Sequence, residues 1–302
     1  METSNLPQWP PGVSALANQL VSSRQFQRLR YISFLGAIER FSRGSIAGTS
    51  SAGSRFEHSI GVAELVLALD ERLRLSPGEK RIAIAHALLH DIGHGPFSHS
   101  TENFFSSTFG VDHHSALSEI ICDDTHEIAK ILKRNGILHD YRRFVSRPSS
   151  IPLVENLFFS PINVDTIEGI LRSARFFGLD VAIDEERIAG ALSGRNPRYD
   201  RLDQFWRLKS CVYNEYIFGP AHSVFDRVIS DALFSVREEV LRSDFLLTDD
   251  LFEERYHGAI HRSLQLEQIS SADRGLRRRS FKINSRLRPR GISALRDRYI
   301  QG

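Results

Sequence analysis

Apolar residues recur every three to four positions along most of the chain, the spacing that is typical of amphipathic helices. The first such stretch predicts a helix over 13–39, and the second predicts one over 58–75 that ends before Pro77 and Gly78. Residues 79–91 are so strongly apolar that they predict a buried helix. Strand-like and helix-like segments do not alternate along the chain, so the sequence predicts an all-α fold.

The remainder of the chain continues this pattern. Further helices are predicted over 114–134, 163–176, 201–217, 222–242 and 249–267. The segment between the first two helices is rich in Gly and Ser and has no apolar periodicity. A small β-hairpin near 40–55 is the most strand structure that we expect.

Composition narrows the class of protein without changing the fold prediction. The chain has 302 residues, of which 41% are hydrophobic and 25% are charged, as in ordinary globular proteins. No apolar run is long enough to predict a transmembrane helix, and the first residues lack the pattern of a secretory signal. Cys122 and Cys211 are too few for a disulfide framework or a Cys-rich zinc site. We therefore expect a cytoplasmic protein with no membrane contact.

The net formal charge of +2 conceals an uneven distribution. Residues 274–302 carry ten basic side chains and one acidic side chain, so this segment has a formal charge of +9 while the remainder is mildly acidic. Such an Arg-rich end is either a solvated or self-docking terminus, or a contact for an anion, a nucleic acid or a second subunit. The sequence leaves these alternatives open.

Seven of the twelve histidines lie within residues 58–114. Among them, His90 is followed by Asp91 at the end of the apolar helix, where burying an imidazole beside a carboxylate is costly unless something compensates it. A divalent metal is the natural partner of such a pair, and mixed His and carboxylate ligands suit Mn, Fe, Zn or Ni. His58 is a third candidate ligand and Asp165 a fourth. The alternative for Asp165 is an ordinary carboxylate that stabilises a helix N-terminus.

Long motifs follow one another in order along the chain. They are FQRLRYISFLG at 26–36, RFEHSIGVA at 55–63, LLHDIGHGPFSHSTE at 88–102 and VDTIEGILRSARFFG at 164–178. Together they resemble the HD-domain superfamily of metal-dependent phosphohydrolases, and within it most closely the branch of dNTP triphosphohydrolases. The resemblance implies an HD core over 1–180. Beyond it the helical pattern predicts an extension over 181–270 that packs on this core. The Arg-rich tail then occupies 271–302.

The resemblance implies a role for individual positions. The metal ligands that it implies are His58, His90, Asp91 and Asp165. The catalytic residues that it implies are His94, His99, His114 and Glu102, with His113 as the fallback for His114. Arg55 matches an arginine that binds the substrate phosphate, a role that suits a planar and permanently charged guanidinium. From the residues alone, His94 and His99 are alternatively polar caps of a turn, and His86 is either a core histidine or a support for the metal site.

The predicted substrate pocket departs from the pattern of the dNTP triphosphohydrolase branch. Where that branch holds the sugar through a Gln, a Tyr and an Asp, this chain has Phe34, Gly169 and Ser173. Thr166 stands where the branch has a phosphate-binding Lys. Each lost hydrogen bond is worth about 0.5–1.5 kcal/mol, so these departures predict a substrate other than an ordinary dNTP.

The sequence thus predicts a hydrolase of phosphoester or phosphoanhydride bonds, with a nucleotide or another phosphorylated small molecule as its substrate. The expected cofactor is a divalent transition metal, Mn, Fe, Zn or Ni, with Mg as a further candidate. The alternatives are a phosphodiesterase or nuclease that acts on DNA or RNA through the Arg-rich tail, a nucleotide-sensing regulator and a diiron oxygenase. By analogy with relatives that assemble, a homo-oligomer is a further expectation.

Overall fold

The computed structural model describes residues 7–42, 51–179, 188, 199–219 and 223–273. Helices account for most of this described part, which contains no strand, so the prediction of an all-α fold is confirmed. An isolated bridge pairs Ser33 with Ser54. Of the hairpin expected near 40–55, residues 40–42 end a helix and residues 43–50 lie outside the described part.

The α-helices are numbered in chain order. They are α1 (Pro11–Ser22), α2 (Arg24–Arg28), α3 (Ala37–Ser42), α4 (Arg55–Leu73), α5 (Pro77–Leu89), α6 (His99–Phe109), α7 (His113–Cys122), α8 (Glu127–Arg134), α9 (Leu138–Ser146), α10 (Pro152–Phe159), α11 (Val164–Phe176), α12 (Tyr199–Cys211), α13 (Ser223–Ser235) and α14 (Asp249–Asp273). Short 3-10 turns span Leu29–Tyr31, Pro148–Ser150 and Arg242–Leu246, and a π-helical turn over Val212–Ile217 continues α12.

The prediction of a single helix over 13–39 is wrong, because the chain changes direction twice within these residues. Helix α1 ends at Ser22, and Ser23 then adopts an extended conformation with ψ of 147°. The Ser23 hydroxyl caps α2 by accepting a hydrogen bond from the Phe26 amide at 3.3 Å. Before α3, Gly36 takes a left-handed conformation with φ of +60°. The spacing of apolar residues alone does not predict these two interruptions of the helix.

Other boundaries also differ from the prediction. The helix expected over 114–134 is two helices, α7 and α8, because the chain leaves the helical conformation at Asp123. Helices α6, α9 and α10 have no counterpart in the prediction, since each is only two to three turns long and carries a correspondingly short apolar stripe.

Buried side chains form two hydrophobic cores. The larger core packs around α5, in which Ala83, Leu88 and Leu89 are completely buried, and it extends over α1, α4 and α8–α11. The smaller core joins α3, α6, α13 and α14 through Phe97, Phe104 and other aromatic side chains. The turn that follows α5 runs from the larger core to the smaller one. It contains the candidate metal ligands His90 and Asp91 and the candidate catalytic residue His94, and His99 begins the helix that follows.

The predicted organisation beyond residue 180 is only partly described. Helix α12 contacts α11, and α13 contacts α6 and α14. The tail over 274–302 and most of 181–198 lie outside the described residues, so the boundaries of the extension and of the tail remain predictions. Within the described ranges, the helices lack the combination of length and apolar character that crossing a bilayer requires.

Candidate metal centre and active site

Two histidine rings face each other at the C-terminal end of α5. His58 lies in the first turn of α4 and is completely buried, and its Nε2 is 3.3 Å from Nε2 of His90. The other nitrogen of each ring is already occupied. His90 Nδ1 donates to the Ala87 carbonyl at 2.9 Å, and His58 Nδ1 contacts the Glu168 carboxylate. Both Nε2 atoms are therefore directed to one point, as in histidines that ligate a metal.

Two carboxylates complete this group. Asp165 Oδ1 lies 3.0 Å from His58 Nε2 and 3.7 Å from His90 Nε2. Asp91 is buried directly after α5, with Oδ2 at 3.6 Å from His58 Nε2 and Oδ1 at 3.5 Å from His90 Nε2. The ligand atoms of His58, His90 and Asp165 all lie within 4.8 Å of one another. The structure thus brings together the four residues that the sequence analysis proposes as metal ligands.

The electrostatics of this group favour a cation at its centre. Burial opposes a charge on His58, but the nearby carboxylates of Glu168, Asp165 and Asp91 raise the pKa of this imidazole to about 9. Asp165 has a half-exposed side chain, and hydrogen bonds from His58 and His90 lower the pKa of its carboxyl. Two nitrogen and two oxygen donors around a buried, acidic point fit a divalent transition metal.

Glu168 is a site residue that the sequence analysis does not predict. Its carboxylate contacts His58 Nδ1 and accepts a hydrogen bond from Arg172 Nη2 at 2.6 Å. Arg172 is in turn anchored by the Ala52 carbonyl at 2.8 Å. Glu168 follows Asp165 by three residues on α11, so the two share one face of the helix. That spacing is the signal by which the sequence could have identified it.

Arg55, the predicted phosphate-binding residue, is buried beside the metal ligands. Its Nη1 lies 2.7 Å from Asp91 Oδ2, its Nε donates to Ser98 Oγ at 2.9 Å and its Nη2 donates to the Phe34 carbonyl at 3.2 Å. Burial opposes ionisation of Asp91, but the Arg55 guanidinium and neighbouring histidines hold the pKa of this carboxyl well below its usual range. A guanidinium has five N–H donors, so Arg55 retains donors for a ligand.

A second group of histidines surrounds Glu102. His99 Nδ1 lies 2.6 Å from Glu102 Oε2, and His113 Nδ1 contacts the other carboxylate oxygen. His94 stacks on His113 with 4.3 Å between the ring centroids and approaches Asp91 Oδ1 with its Nε2 at 3.3 Å. Burial opposes the charge on Glu102, but hydrogen bonds from His113 and His99 lower its pKa. An ionised Glu102 therefore orients two imidazole rings.

The contact with Glu102 distinguishes the two adjacent histidines. Glu102 binds both the backbone amide and the ring of His113, which is the fallback of the sequence analysis. The His114 ring is tilted by 40° against the His113 ring, with 3.9 Å between centroids, and His114 lines the cavity described below. The ligand atoms of His94, His99 and His113 lie within 4.8 Å of one another, so this group is a second place where a metal could bind.

His86 lies in an aromatic environment in the core. Its ring is 4.6 Å from the ring of Phe158 and 5.1 Å from that of Phe144, and its Nδ1 is 3.3 Å from the Tyr141 hydroxyl. Burial lowers the pKa of His86 to about 3. Its ring centroid is 6.4 Å from that of His90. Of the two alternatives for His86, this position favours a core histidine.

A cavity of about 500 Å³ joins these groups. The predicted site residues that line it are Arg55, Asp91, His94, His99, His114 and Asp165. The four residues that depart from the family pattern line it as well, namely Phe34, Thr166, Gly169 and Ser173. The hydroxyl of Ser173 donates to the Gly169 carbonyl at 2.7 Å and is thereby occupied within the helix. Tyr213 and Asp226 also line the cavity. They lie beyond the quoted motifs, so the sequence analysis contains no signal for either residue.

Comparisons with known proteins agree with this geometry. A family model for the HD domain matches residues 55–160. The uncharacterized protein YwfO of Bacillus subtilis (strain 168) is 34% identical over 191 residues, which cover 61% of this chain and 41% of that protein.

Two further relatives have informative names. The deoxynucleoside triphosphate triphosphohydrolase SAMHD1 homolog of Dictyostelium discoideum is 25% identical over 307 residues, which cover 93% of this chain and 57% of that protein. The deoxynucleoside triphosphate triphosphohydrolase SAMHD1 of Homo sapiens is 38% identical over 94 residues, or 29% of this chain and 14% of that protein. In each comparison the matching part of this chain covers 57% or less of the relative's length.

The matching segment contains His58, the His90-Asp91 pair and the histidines around Glu102. Sequence similarity and site geometry therefore agree on one domain type. Residues 55–160 thus match the HD domain, and the relatives support a place in the HD-domain superfamily near its branch of dNTP triphosphohydrolases.

Proposed function

We propose that this protein is a metal-dependent hydrolase that cleaves a phosphoester or phosphoanhydride bond of a nucleotide. The observation that carries the proposal is the convergence of His58, His90, Asp91 and Asp165 on one point at the wall of the cavity. The names of the D. discoideum and human relatives, which are deoxynucleoside triphosphate triphosphohydrolases, support a nucleotide as the substrate.

The four converging residues would hold a divalent transition metal. Such a metal supplies a Lewis acid that stabilises charge on phosphoryl oxygens and increases the nucleophilicity of water. Glu168 keeps His58 in the tautomer whose Nε2 is available to a ligand. Arg55, already fixed by Asp91 and Ser98, presents its remaining N–H donors to a phosphate in the cavity.

Proton transfer is assigned to the histidines around Glu102. Because Glu102 occupies Nδ1 of both His99 and His113, Nε2 of each ring is the atom that can give a proton to a leaving oxygen. His94 lies between the two groups, since its ring stacks on His113 and its Nε2 is 3.3 Å from Asp91 Oδ1. In this proposal His113 takes the role that the resemblance gives to His114.

The substrate end of the cavity is less polar than the family pattern implies. The apolar ring of Phe34 fills the space next to Gly169, where hydrogen-bonding side chains are expected, and Thr166 supplies no positive charge. The proposed substrate is therefore a nucleotide whose sugar is held by shape more than by hydrogen bonds, or another phosphate ester of similar size.

The test is a product assay on the purified chain with added Mn²⁺. Pools of dNTPs, NTPs, nucleoside monophosphates, dinucleotides and single-stranded DNA are incubated, and the products are identified by mass spectrometry. The control is Asp165→Ala, because Asp165 has a half-exposed side chain and its loss should leave the fold intact. A matched variant, Asp123→Ala, removes an exposed carboxylate far from the cavity lining.

The proposal predicts phosphate-containing products with the unaltered chain and with Asp123→Ala, and none with Asp165→Ala. Cleavage of dinucleotides or DNA without cleavage of nucleotides would instead favour the phosphodiesterase alternative. If no phosphate compound were cleaved, or if Asp165→Ala were fully active, the proposed function would be wrong.

A further inference from the structure

The turn between α5 and α6 contains two residues whose backbone conformation is unusual for residues that carry a side chain. Phe97 has a φ of +54°, and Ser98 has a φ of +50° with a ψ of −124°. Such conformations are energetically costly outside glycine and persist only where the surrounding structure holds them, which is common at functional sites. Contacts from elsewhere in the chain must therefore hold this turn, which leads directly into the candidate catalytic residue His99.

A buried carboxylate at the first residue of α14 supplies such a contact. Asp249 Oδ1 accepts a hydrogen bond from the Phe97 amide at 2.7 Å. Its Oδ2 accepts two hydrogen bonds from Ser33, one from the amide at 2.9 Å and one from the hydroxyl at 2.5 Å. The two oxygens of one carboxylate thus join the segment that contains Ser33 to the strained turn that contains Phe97.

These two segments meet again at Arg55. The buried Ser98 hydroxyl donates to the Ser33 carbonyl at 2.6 Å and accepts a hydrogen bond from Arg55 Nε at 2.9 Å. A hydroxyl has a single proton. Because Ser98 gives that proton to Ser33, a lone pair of its oxygen faces Arg55. The direction of the Arg55 guanidinium therefore depends on the relative position of Ser33 and Ser98, which Asp249 fixes.

Residues just before α14 contact the same turn. A Cβ atom built on Gly95 would lie 2.6 Å from the ring of Phe245, so this ring packs directly against the backbone of the turn. Arg28 joins the turn to the same segment, since its Nη2 donates to the His94 carbonyl at 2.6 Å and its Nη1 to the Leu247 carbonyl at 3.3 Å. The start of α14 and the residues before it therefore hold the turn at several points. This part of the chain lies beyond the segment that the HD-domain model matches.

We infer that Asp249 is a positioning residue for phosphate binding, because it holds Ser98 where the Ser98 hydroxyl orients the guanidinium of Arg55. The inference rests on the proposed function, in which Arg55 binds the phosphate. It extends the active site to the helical part of the chain beyond the HD domain. The competing explanation is that Asp249 only stabilises the fold by joining α14 to the remainder of the protein. The two explanations differ in whether phosphate affinity changes while the metal site is retained.

The experiment measures three quantities on the full chain. They are the Kd of Mn²⁺, the Kd of inorganic phosphate for the Mn²⁺-loaded chain, both by isothermal titration calorimetry, and the free energy of unfolding in urea. The first variant is Asp249→Asn, which keeps the size of the side chain. An amide has one acceptor oxygen, and its NH₂ group would face either the Phe97 amide or the Ser33 donors. The substitution therefore breaks one side of the connection.

A second variant, Ser98→Ala, interrupts the same path one contact further on. It removes the hydroxyl between Ser33 and Arg55 and leaves Asp249 in place, so it decides the question even if Asp249→Asn does not fold. The double variant tests whether the two residues act through one path. The matched control is Asp250→Asn, which removes the neighbouring carboxylate, whose side chain is 72% exposed.

The expected result is a rise of about 10-fold in the Kd of phosphate for Asp249→Asn and for Ser98→Ala, the size of effect that one hydrogen bond to a charged group produces. The Kd of Mn²⁺ should stay the same, because neither substitution removes a metal ligand. The double variant should bind phosphate no more weakly than the weaker single variant, since both act through Arg55. Asp250→Asn should bind phosphate like the unaltered chain.

Three results would overturn the inference. They are an unaltered chain that does not bind phosphate, a phosphate Kd that does not change in Ser98→Ala or in a folded Asp249→Asn, and a loss of Mn²⁺ affinity that equals the loss of phosphate affinity. The product assay on the unaltered chain tests the hydrolase proposal separately. Cleavage in that assay together with an unchanged phosphate Kd in the variants would refute the role of Asp249 and leave the proposed function in place.

Discussion

The ring of Phe34 occupies the space that a side chain at position 169 would need. A Cβ atom built on Gly169 would lie 3.1 Å from Cζ of Phe34 and 3.7 Å from Cε1 of His58. Phe34 itself packs on His58, with 4.7 Å between the ring centroids. The departures at positions 34 and 169 are therefore complementary, since the small residue makes room for the large ring beside a metal ligand.

Gly169→Ala should consequently destabilise the protein, although Ala is preferred to Gly in a helix by about 1 kcal/mol. The added methyl group forces the Phe34 ring against His58, and overpacking of this kind costs about 1–3 kcal/mol. Thermal or urea unfolding measures the change. The double variant Gly169→Ala/Phe34→Leu should lose less stability than the sum of the two single variants.

The matched control for this prediction is Gly258→Ala in α14. A Cβ at Gly258 would meet only the flexible end of Arg262, at 3.4 Å. This substitution should be neutral or stabilising. A stabilising effect of Gly169→Ala as well would show that Phe34 does not limit the space at position 169.

Glu168→Gln should weaken metal binding without removing a ligand. The neutral amide no longer favours a proton on His58 Nδ1, and loss of such a supporting contact typically costs 10- to 100-fold in metal affinity. Competition with a chelator of known affinity measures the change, with Glu254→Gln, an exposed residue, as the control. Unchanged affinity would mean that Glu168 serves only to anchor Arg172.

His113→Ala should lower turnover far more than His114→Ala. Of these two adjacent histidines, His113 is the one that Glu102 holds, and general acid–base catalysis contributes about 10²- to 10⁴-fold to a rate. Both variants should retain the metal, which elemental analysis of the purified proteins can check. A larger loss of turnover in His114→Ala would restore the role that the family resemblance gives to His114.

Stability should fall on acidification because of His86. Its pKa is about 3 in the folded protein, against 6.5 for an unperturbed imidazole. His86 therefore binds a proton below pH 6.5 in the unfolded chain, but only near pH 3 in the folded chain. The contribution of neutral His86 to the free energy of unfolding is thus fully present above pH 6.5 and is lost as the pH falls. Between pH 7 and pH 5 the loss amounts to about 2 kcal/mol.

The measurement is urea unfolding of the unaltered chain and of His86→Leu at these two pH values. The variant should show a shallower loss of stability between them, whereas His139→Gln, which removes an exposed imidazole, should follow the unaltered chain. Identical pH dependence in His86→Leu would show that His86 does not remain neutral in the folded protein.

The sequence by itself determines the all-α class, because apolar spacing is a local property that each helix displays on its own. It also identifies the candidate ligands, since His90 and Asp91 follow a helix too apolar to bury them without compensation. It does not resolve the breaks at Ser23 and Gly36, where a capping hydroxyl and a left-handed glycine interrupt an apolar pattern that otherwise continues.

Only the tertiary structure decides which side chains meet. Glu168 reaches His58 across 110 residues of sequence, and Ser100 reaches Asp226 across 126. No regular spacing in the sequence relates the two partners of either pair, because each contact depends on how two distant helices pack. The choice of His113 over His114 is likewise a matter of orientation, since adjacent residues of a helix point about 100° apart and only one of them can face Glu102.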